Sequence, residues 1–172
     1  MAATPRLMSV EEYLDTNYHP DKEFVDGRLV ERNVGTLPHS QLQLILLMHF
    51  MQHTHLGIQP LPECRTRTRG SRFRVPDVIV IRTPFDRKAL FYDGVPLVVV
   101  EIISPEDRLN RALERFAEYE ELGVPCIVQM DPEKRITHVY RSGSLTRQDL
   151  KELDPGDRSI PFDTEALYAQ LD

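Results

Sequence analysis

Apolar and polar positions follow two different periods along this chain, which separate predicted strands from predicted helices. Two β-branched, apolar runs of strand length lie between Arg74 and Ser104, R-V-P-D-V-I-V-I-R and V-P-L-V-V-V-E-I-I-S. Runs this apolar are typical of strands covered on both faces. Each run carries one carboxylate, Asp77 in the first and Glu101 in the second. Because a buried carboxylate is unfavourable unless a positive group neutralises it, the pair indicates a divalent-metal site.

Helices are predicted where a capping residue precedes a stretch whose apolar residues recur at intervals of three and four. The Ser9-Val-Glu-Glu12 segment has the chemistry of a capping box and predicts a short helix. A second helix is predicted over residues 38–55, ended by Gly57, and a third over residues 106–122. A short helix is predicted near the end of the chain, over residues 164–171.

The order of the predicted elements indicates the fold class. Asp26-Gly27 supplies the positive φ of a tight hairpin turn between two strand-like runs. The strand-helix-strand order over residues 95–130 predicts a parallel pair with a right-handed crossover. Residues 142–172 contain turn signals and no candidate chemistry, so we expect a covering tail. We predict an α/β (α+β) fold, a mixed sheet flanked by helices, in one domain over residues 1–172.

Composition and charge narrow the function without deciding it. The chain is 28% charged and 41% hydrophobic with a net charge of −6, which is typical of a soluble globular protein. Residues 63–88, however, contain eight basic and three acidic residues, a local net charge of +5 that can bind phosphates. The two cysteines lack metal-ligand spacing, and the first residues lack the apolar core of a signal peptide. We therefore expect a reduced, cytoplasmic protein without a membrane partner.

Five arginines form a strip that leads directly into the first apolar run. The first three recur at every second position, so in a strand they would point the same way. One interpretation is a solvated edge strand whose charge prevents edge-to-edge pairing. The other is a ridge that faces nucleic-acid phosphates, for which the planar guanidinium is well suited. The strip consists of Arg65, Arg67, Arg69, Arg72 and Arg74.

Asp77 and Glu101, on neighbouring strands, can hold one hard cation. The main-chain carbonyl of Ile102 can complete the protein's share of the ligands, and Mg²⁺ keeps several waters under such ligation. A bound water is then acidified and attacks phosphorus in line, while the ion offsets charge on the scissile phosphate. The predicted cofactor is Mg²⁺ or Mn²⁺.

The chain resembles the Uma family of predicted restriction endonucleases, within the PD-(D/E)XK nuclease superfamily. The resemblance covers roughly residues 8–141 and implies a restriction-endonuclease-like mixed sheet with a metal site at Asp77 and Glu101. It also implies an additional site carboxylate at Glu23 and a recurrent family position at His39. Its marks, in order, are S-V-E-E-Y-L, K-E-F-V-D-G-R-L-V, Pro38-His39, R-V-P-D-V-I-V, V-V-V-E-I-I-S-P, E-Y-E-E-L-G-V and M-D-P.

The chain departs from the superfamily pattern at its lysine. That lysine usually lies two residues after the glutamate, where this chain has Ile103. In the resembled family it lies on the following helix, four residues before the tyrosine, which corresponds here to Arg115, before Tyr119. Arginine retains the electrostatic role of lysine, but it cannot act as a base because it does not deprotonate in a protein.

Three hypotheses follow. The first is a magnesium-dependent DNA endonuclease with Asp77 and Glu101 as ligands, Arg115 stabilising the transition state and the arginine strip binding phosphates. Such an enzyme would favour a homodimer for cutting both strands. The second is a catalytically impaired relative that binds nucleic acid or another protein. The third treats Asp77 and Glu101 as structural ion-paired residues, for instance with Arg115.

Overall fold

The computed structural model describes residues 7–33, 35–104 and 109–172. Within these ranges the chain forms α-helices, two short 3₁₀ turns (Thr54–Leu56 and Ala169–Leu171) and three β-sheets. The helices are α1 (Val10–Leu14), α2 (Leu37–Met51), α3 (Leu109–Leu122) and α4 (Thr164–Tyr168). The strands are β1 (Glu23–Val25), β2 (Arg28–Val30), β3 (Ile58–Pro62), β4 (Thr66–Arg69), β5 (Arg72–Arg74), β6 (Val78–Arg82), β7 (Val98–Ile102), β8 (Cys126–Asp131), β9 (Ile136–Arg141), β10 (Ser144–Arg147), β11 (Glu152–Leu153) and β12 (Ile160–Pro161).

The central sheet has six strands in the order β10-β9-β8-β7-β6-β3. Strands β7 and β8 are parallel and are joined through α3, and the other neighbouring pairs are antiparallel. The predicted parallel pair is therefore confirmed, as is the mixed sheet flanked by helices. A second sheet has the order β2-β1-β5-β4, and β11 pairs with β12 alone.

The alternation of side chains along β6 and β7 divides the core into two layers. Val78, Val80, Val98 and Val100 pack with α2 and the C-terminal segment on one face of the central sheet. Ile79, Ile81 and Val99 pack on the other face against Ala112, Phe116 and Tyr119 of α3. Strands with apolar residues on both faces are expected to lie between two helical layers, and these do.

The predicted helix signals correspond closely to the observed ends. The Ser9 hydroxyl accepts a hydrogen bond from the Glu12 N–H at 3.1 Å, which caps α1. Helix α2 begins at Leu37, one residue before the predicted Pro38, with Thr36 as its cap, and Gly57 ends the following 3₁₀ turn with φ of 72°. The predicted start of the third helix at Glu106 lies outside the described residues.

The hairpin and the C-terminal segment also follow the sequence. Asp26 and Gly27 both have positive φ, as the predicted turn between β1 and β2 requires. In the C-terminal segment, Leu153, Ile160 and Phe162 are buried against α2 and the sheet, so this segment covers that face. It also contributes β10 to the edge of the central sheet. Among the described residues no helix has the length and apolar character of a membrane span.

Candidate active site

The pairing of β6 with β7 places the two predicted carboxylates side by side. Val78 lies opposite Val100, so Asp77 and Glu101 are the next residues at the end where β6 begins and β7 ends. Both are buried, with 6% and 7% of their surface exposed. They line a pocket of about 240 Å³ whose wall also includes Arg115. Two acidic groups thus converge on one small cavity.

Asp77 is held by three donors from different parts of the chain. Its Oδ2 accepts the backbone N–H of Ile102 at 2.7 Å and lies 3.3 Å from Nε2 of His39. Its Oδ1 accepts Nη2 of Arg32 at 3.1 Å. Burial alone would raise the pKa of Asp77, but His39, the Ile102 N–H and Arg32 together outweigh burial and lower it. Asp77 is therefore a carboxylate at neutral pH.

Glu101 lies in a less favourable environment than Asp77. Its Oε1 accepts the hydroxyl of Tyr119 at 2.7 Å and lies 3.8 Å from Nε of Arg115. Burial raises the pKa of Glu101 to about 7, Arg115 opposes this rise, and the nearby charge of Asp77 adds to it. The two carboxylates therefore disfavour each other's ionisation.

Helix α3 supplies two side chains that lie against Glu101, Arg115 and Tyr119. Arg115 and Tyr119 are four residues apart, which places them on the same face of the helix. Ile103 follows the end of β7, while the guanidinium of Arg115 lies beside Glu101, as the shifted position of the family's lysine implies. Sequence counting back from Tyr119 thus identified a residue of the pocket.

Glu23, the predicted additional carboxylate, is held by an arginine. It lines the same pocket, but its Oε2 accepts Nη1 of Arg74 at 2.8 Å and its Oε1 lies 3.4 Å from the N–H of Val75. Across the described ranges no three acidic, histidine or cysteine side chains come together as a metal-ligand set. Asp77, Glu101 and the carbonyl of Ile102 are the candidate metal ligands, and Glu23 stays a predicted additional carboxylate of the pocket.

The five arginines of the strip do not form one continuous ridge, which was one of the two interpretations of their pattern. Arg65 and Arg67 lie over aromatic rings, 4.5 Å from the centroid of Tyr13 and 4.6 Å from that of Phe91. Arg72 and Arg74 instead contact α3. The strip divides because β4 and β5 are short antiparallel strands whose register shifts between Arg67 and Arg69. Each guanidinium has an acidic partner: Arg65 with Asp21, Arg67 with Asp93, Arg69 with Glu121, Arg72 with Asp26 and Glu118, and Arg74 with Glu23 and Glu118.

The exposed fraction of each side chain indicates which of these arginines could contact a nucleic-acid phosphate. The side chains of Arg65 and Arg74 are only 11% and 5% exposed, so they serve ion pairs inside the protein. Arg67 and Arg69 are 36% and 67% exposed, and these two remain candidates for phosphate contact. Arg111, exposed on the rim of the pocket, is a further candidate that the strip did not include.

Sequence reasoning missed two residues that the fold brings to the site. Arg32 follows β2 and carries no motif, yet it is hydrogen-bonded to Asp77. Glu118 lies in α3 and accepts hydrogen bonds from Arg72, Arg74 and Thr68 beneath the pocket. The sequence signals for Glu118 were the helix face that it shares with Arg111 and Arg115 and its place beside Tyr119 in the E-Y-E-E-L-G-V motif, whereas no pattern in the sequence signals Arg32.

The raised pKa of Glu101 gives a stability test of its role. The ordinary pKa of this group is 4.5, so the folded protein retains the proton to higher pH than the unfolded chain does. The free energy of unfolding contributed by this group therefore falls as pH rises from about 4.5 to about 7. Glu101→Gln removes this loss, and we expect the variant in EDTA to be more stable than the wild type by about 2 kcal/mol at pH 8.

Urea unfolding at pH 8 and at pH 4 measures this difference. The two proteins should have nearly equal stability at pH 4, where the carboxyl of Glu101 is protonated in both states. A Glu101→Gln protein that is less stable than the wild type at pH 8 would instead make Glu101 a structural ion-pair partner of Arg115, as the third hypothesis holds.

Comparisons with known proteins identify the family and the fold. The family model Uma2, described as "Putative restriction endonuclease", matches residues 10–168. A solved structure described as "a putative nuclease belonging to DUF820" from Anabaena variabilis has a TM-score of 0.78 at 17% identity, covering 96% of this chain and 99% of that chain. The cryo-EM structure of a DrdV–DNA complex matches with a TM-score of 0.40 at 15% identity, over 73% of this chain and 10% of that chain. No curated protein matches the chain.

Proposed function

Because the chain belongs to the Uma2 family of restriction-endonuclease-like proteins, we propose that it hydrolyses phosphodiester bonds in DNA with a Mg²⁺ or Mn²⁺ ion held by Asp77 and Glu101. The observation that carries this proposal is the pair of buried carboxylates side by side where β6 begins and β7 ends. The charge of Asp77 helps to raise the pKa of Glu101, and a divalent cation between them would remove that repulsion.

The donor atoms suit a hard divalent cation. Asp77 and Glu101 offer carboxylate oxygens, and Ile102 offers a carbonyl oxygen at the end of β7. Oxygen ligands of this kind suit Mg²⁺ and Mn²⁺, and a few protein ligands leave room for several waters. When bound, the ion would polarise the phosphate and lower the pKa of a bound water.

The remaining side chains of the pocket position these ligands. The N–H of Ile102 and the imidazole of His39 fix Asp77, and the hydroxyl of Tyr119 fixes Oε1 of Glu101. Such contacts keep ligand oxygens at the orientation that metal binding needs. Arg111 lines the pocket and is exposed, and Arg67 and Arg69 are exposed guanidinium groups outside it, so these three are the candidates for contact with the phosphates of the nucleic acid strand.

Arg115 supplies positive charge beside the reacting phosphate but no base. Replacing it with alanine should lower the cleavage rate by about 10²-fold or more, because removing one preorganised donor to a developing anion typically has this effect. Replacing it with lysine, which preserves the charge, should leave the rate within about tenfold of the wild type. Single-turnover cleavage rates of the three proteins at saturating Mg²⁺ measure both effects. A lysine variant as slow as the alanine variant would contradict the electrostatic role.

A second candidate function is nucleic-acid binding without hydrolysis. It is favoured by the two guanidinium groups that already lie against the carboxylates, Arg32 on Asp77 and Arg115 near Glu101. These pairs compensate the buried charge without an ion. Under this alternative, only an Arg115→Lys protein, or no variant at all, would cut DNA.

Incubation with supercoiled plasmid and with single-stranded DNA tests the proposal. We expect the wild-type protein to nick or linearise DNA in Mg²⁺ or Mn²⁺ and to stop when EDTA is added. Binding of DNA without cleavage in either metal would favour the second function. Absence of both binding and cleavage would reject nucleic acid as the partner.

A further inference from the structure

Arg32 lies in an irregular segment between two regular elements. It follows β2 and precedes Thr36, the cap of α2. Its guanidinium donates to Oδ1 of Asp77 at 3.1 Å and lies 3.7 Å from Oε2 of Glu63, and its side chain is 11% exposed. Arg32 therefore reaches Asp77 from outside the two strands that carry the carboxylates, and its guanidinium lies between two acidic partners.

The two carboxylate oxygens of Asp77 have different partners. Oδ2 accepts the N–H of Ile102 and faces His39, so both partners hold that oxygen in place. Oδ1 faces Arg32. A metal ion bound to Oδ1 would share this oxygen with the guanidinium of Arg32, and two cations within a few ångströms of one another in a buried pocket repel strongly.

Arg115 does not compete for a ligand oxygen in the same way. Its Nε lies 3.8 Å from Oε1 of Glu101, beyond hydrogen-bond distance, whereas Arg32 is hydrogen-bonded to Asp77. The pocket therefore contains two guanidinium groups. That of Arg115 lies near Glu101 without a hydrogen bond to it, and that of Arg32 is hydrogen-bonded to Oδ1 of Asp77.

We propose that Arg32 is the resident counter-ion of Asp77 and leaves Oδ1 when a divalent metal ion binds there. This inference rests on the proposed function, since it takes Asp77 as a metal ligand. Glu63 gives the displaced guanidinium a partner, because its carboxylate is half exposed and already lies 3.7 Å from Nη1. The backbone N–H of Glu63 also donates to the carbonyl of Asp77, so the alternative partner is adjacent to the site.

The contact between Arg32 and Asp77 consequently weakens metal binding. Hydrogen bonds between charged groups contribute enough stability that breaking one reduces affinity by roughly tenfold or more. An Arg32→Gln protein should therefore bind Mn²⁺ roughly tenfold more tightly than the wild type. Arg32→Lys, which keeps a charge but not the planar fork, should have an intermediate affinity.

Calorimetric titration with Mn²⁺ alone, without DNA, tests the proposal on wild type, Arg32→Gln, Arg32→Lys and Asp77→Asn. Arg28→Gln is the matched control, because Arg28 is an exposed arginine of β2 and should leave the affinity unchanged. The rise in melting temperature on adding Mn²⁺ gives a second readout that does not require activity. This rise should be larger for Arg32→Gln than for the wild type.

The outcomes separate this proposal from the proposed function. Tighter Mn²⁺ binding by Arg32→Gln, together with weaker binding by Asp77→Asn, supports both. Equal or weaker binding by Arg32→Gln with weaker binding by Asp77→Asn overturns the counter-ion role and leaves the metal site in place. Unchanged binding by Asp77→Asn would show that the ion binds elsewhere, which overturns the metal site and the counter-ion role together.

Discussion

Replacing Asp77 with asparagine is expected to lower the rate of metal-dependent DNA cleavage by roughly 10³-fold, which corresponds to about 4 kcal/mol of lost transition-state stabilisation. The change preserves the shape of the side chain and an acceptor for the N–H of Ile102. It removes the negative charge that would hold the cation beside Glu101. Single-turnover cleavage of plasmid DNA over a range of Mg²⁺ concentrations measures the loss.

The matched control for this variant is Asp157→Asn. Asp157 is half exposed and pairs with Arg82, which lies at the opposite end of β6 from Asp77. Its rate should equal that of the wild type, and melting curves of both variants check that they are folded. An Asp77→Asn protein that retains the wild-type rate would remove Asp77 from the mechanism.

Replacing Glu118 with alanine is expected to lower the free energy of unfolding by about 3–5 kcal/mol. Glu118 is 4% exposed and accepts from Nε and Nη2 of Arg74 at 2.9 and 2.6 Å. It also accepts from Nη1 of Arg72 at 2.8 Å and from the hydroxyl of Thr68 at 2.9 Å. The alanine variant would leave the buried guanidinium of Arg74 with the buried Glu23 at 2.8 Å and the exposed Glu114 at 3.6 Å, and would remove its two shortest charged contacts to α3.

Urea and thermal unfolding measure the effect of Glu118→Ala, with a fall in melting temperature of about 6–20 °C at neutral pH. Burial would raise the pKa of Glu118, but its hydrogen bonds to Arg74 and Arg72 lower it below the ordinary 4.5. A group whose pKa is lowered by folding stabilises the protein above its unfolded pKa and loses this contribution as pH falls. The difference between wild type and variant should therefore shrink below about pH 4.

Glu121→Ala is the control on the same helix. Its partner Arg69 lies at 3.3 Å, and both side chains are more than 60% exposed. An exposed pair of this kind contributes less than about 1 kcal/mol. If the two variants lose the same free energy of unfolding, the buried ion pairs of Glu118 stabilise the contact of α3 with the second sheet no more than an exposed ion pair does.

The elements that carry the site could be predicted because local patterns determine them. The segments beside Asp77 and Glu101, V-I-V-I and V-V-V, are apolar at consecutive positions, which is typical of strands covered on both faces. The crossover through α3 then fixes the parallel neighbour of β7. Two carboxylates in adjacent strands followed from this arrangement, whereas Arg115 came from the resemblance to the family, as the residue four positions before Tyr119.

The ionic partners could not be predicted, because they join segments far apart in the chain. Arg74 meets Glu23 and Glu118, which lie 51 and 44 residues away from it. A strand period predicts which way an arginine points only while the strand is regular, and the register shift between Arg67 and Arg69 ended that regularity. The contact of Arg32 with Asp77 depends on the path of the segment between β2 and α2. Segments without regular secondary structure have no periodic pattern from which their path could be predicted.

A crystal structure with Mn²⁺, read by anomalous scattering, tests most directly that Asp77 and Glu101 hold one divalent ion. The account predicts a single strong peak about 2.1 Å from Oδ1 of Asp77 and from a carboxylate oxygen of Glu101, with Arg32 displaced toward Glu63. A peak elsewhere, with Arg32 still on Asp77 at a Mn²⁺ concentration that supports DNA cleavage, would contradict it.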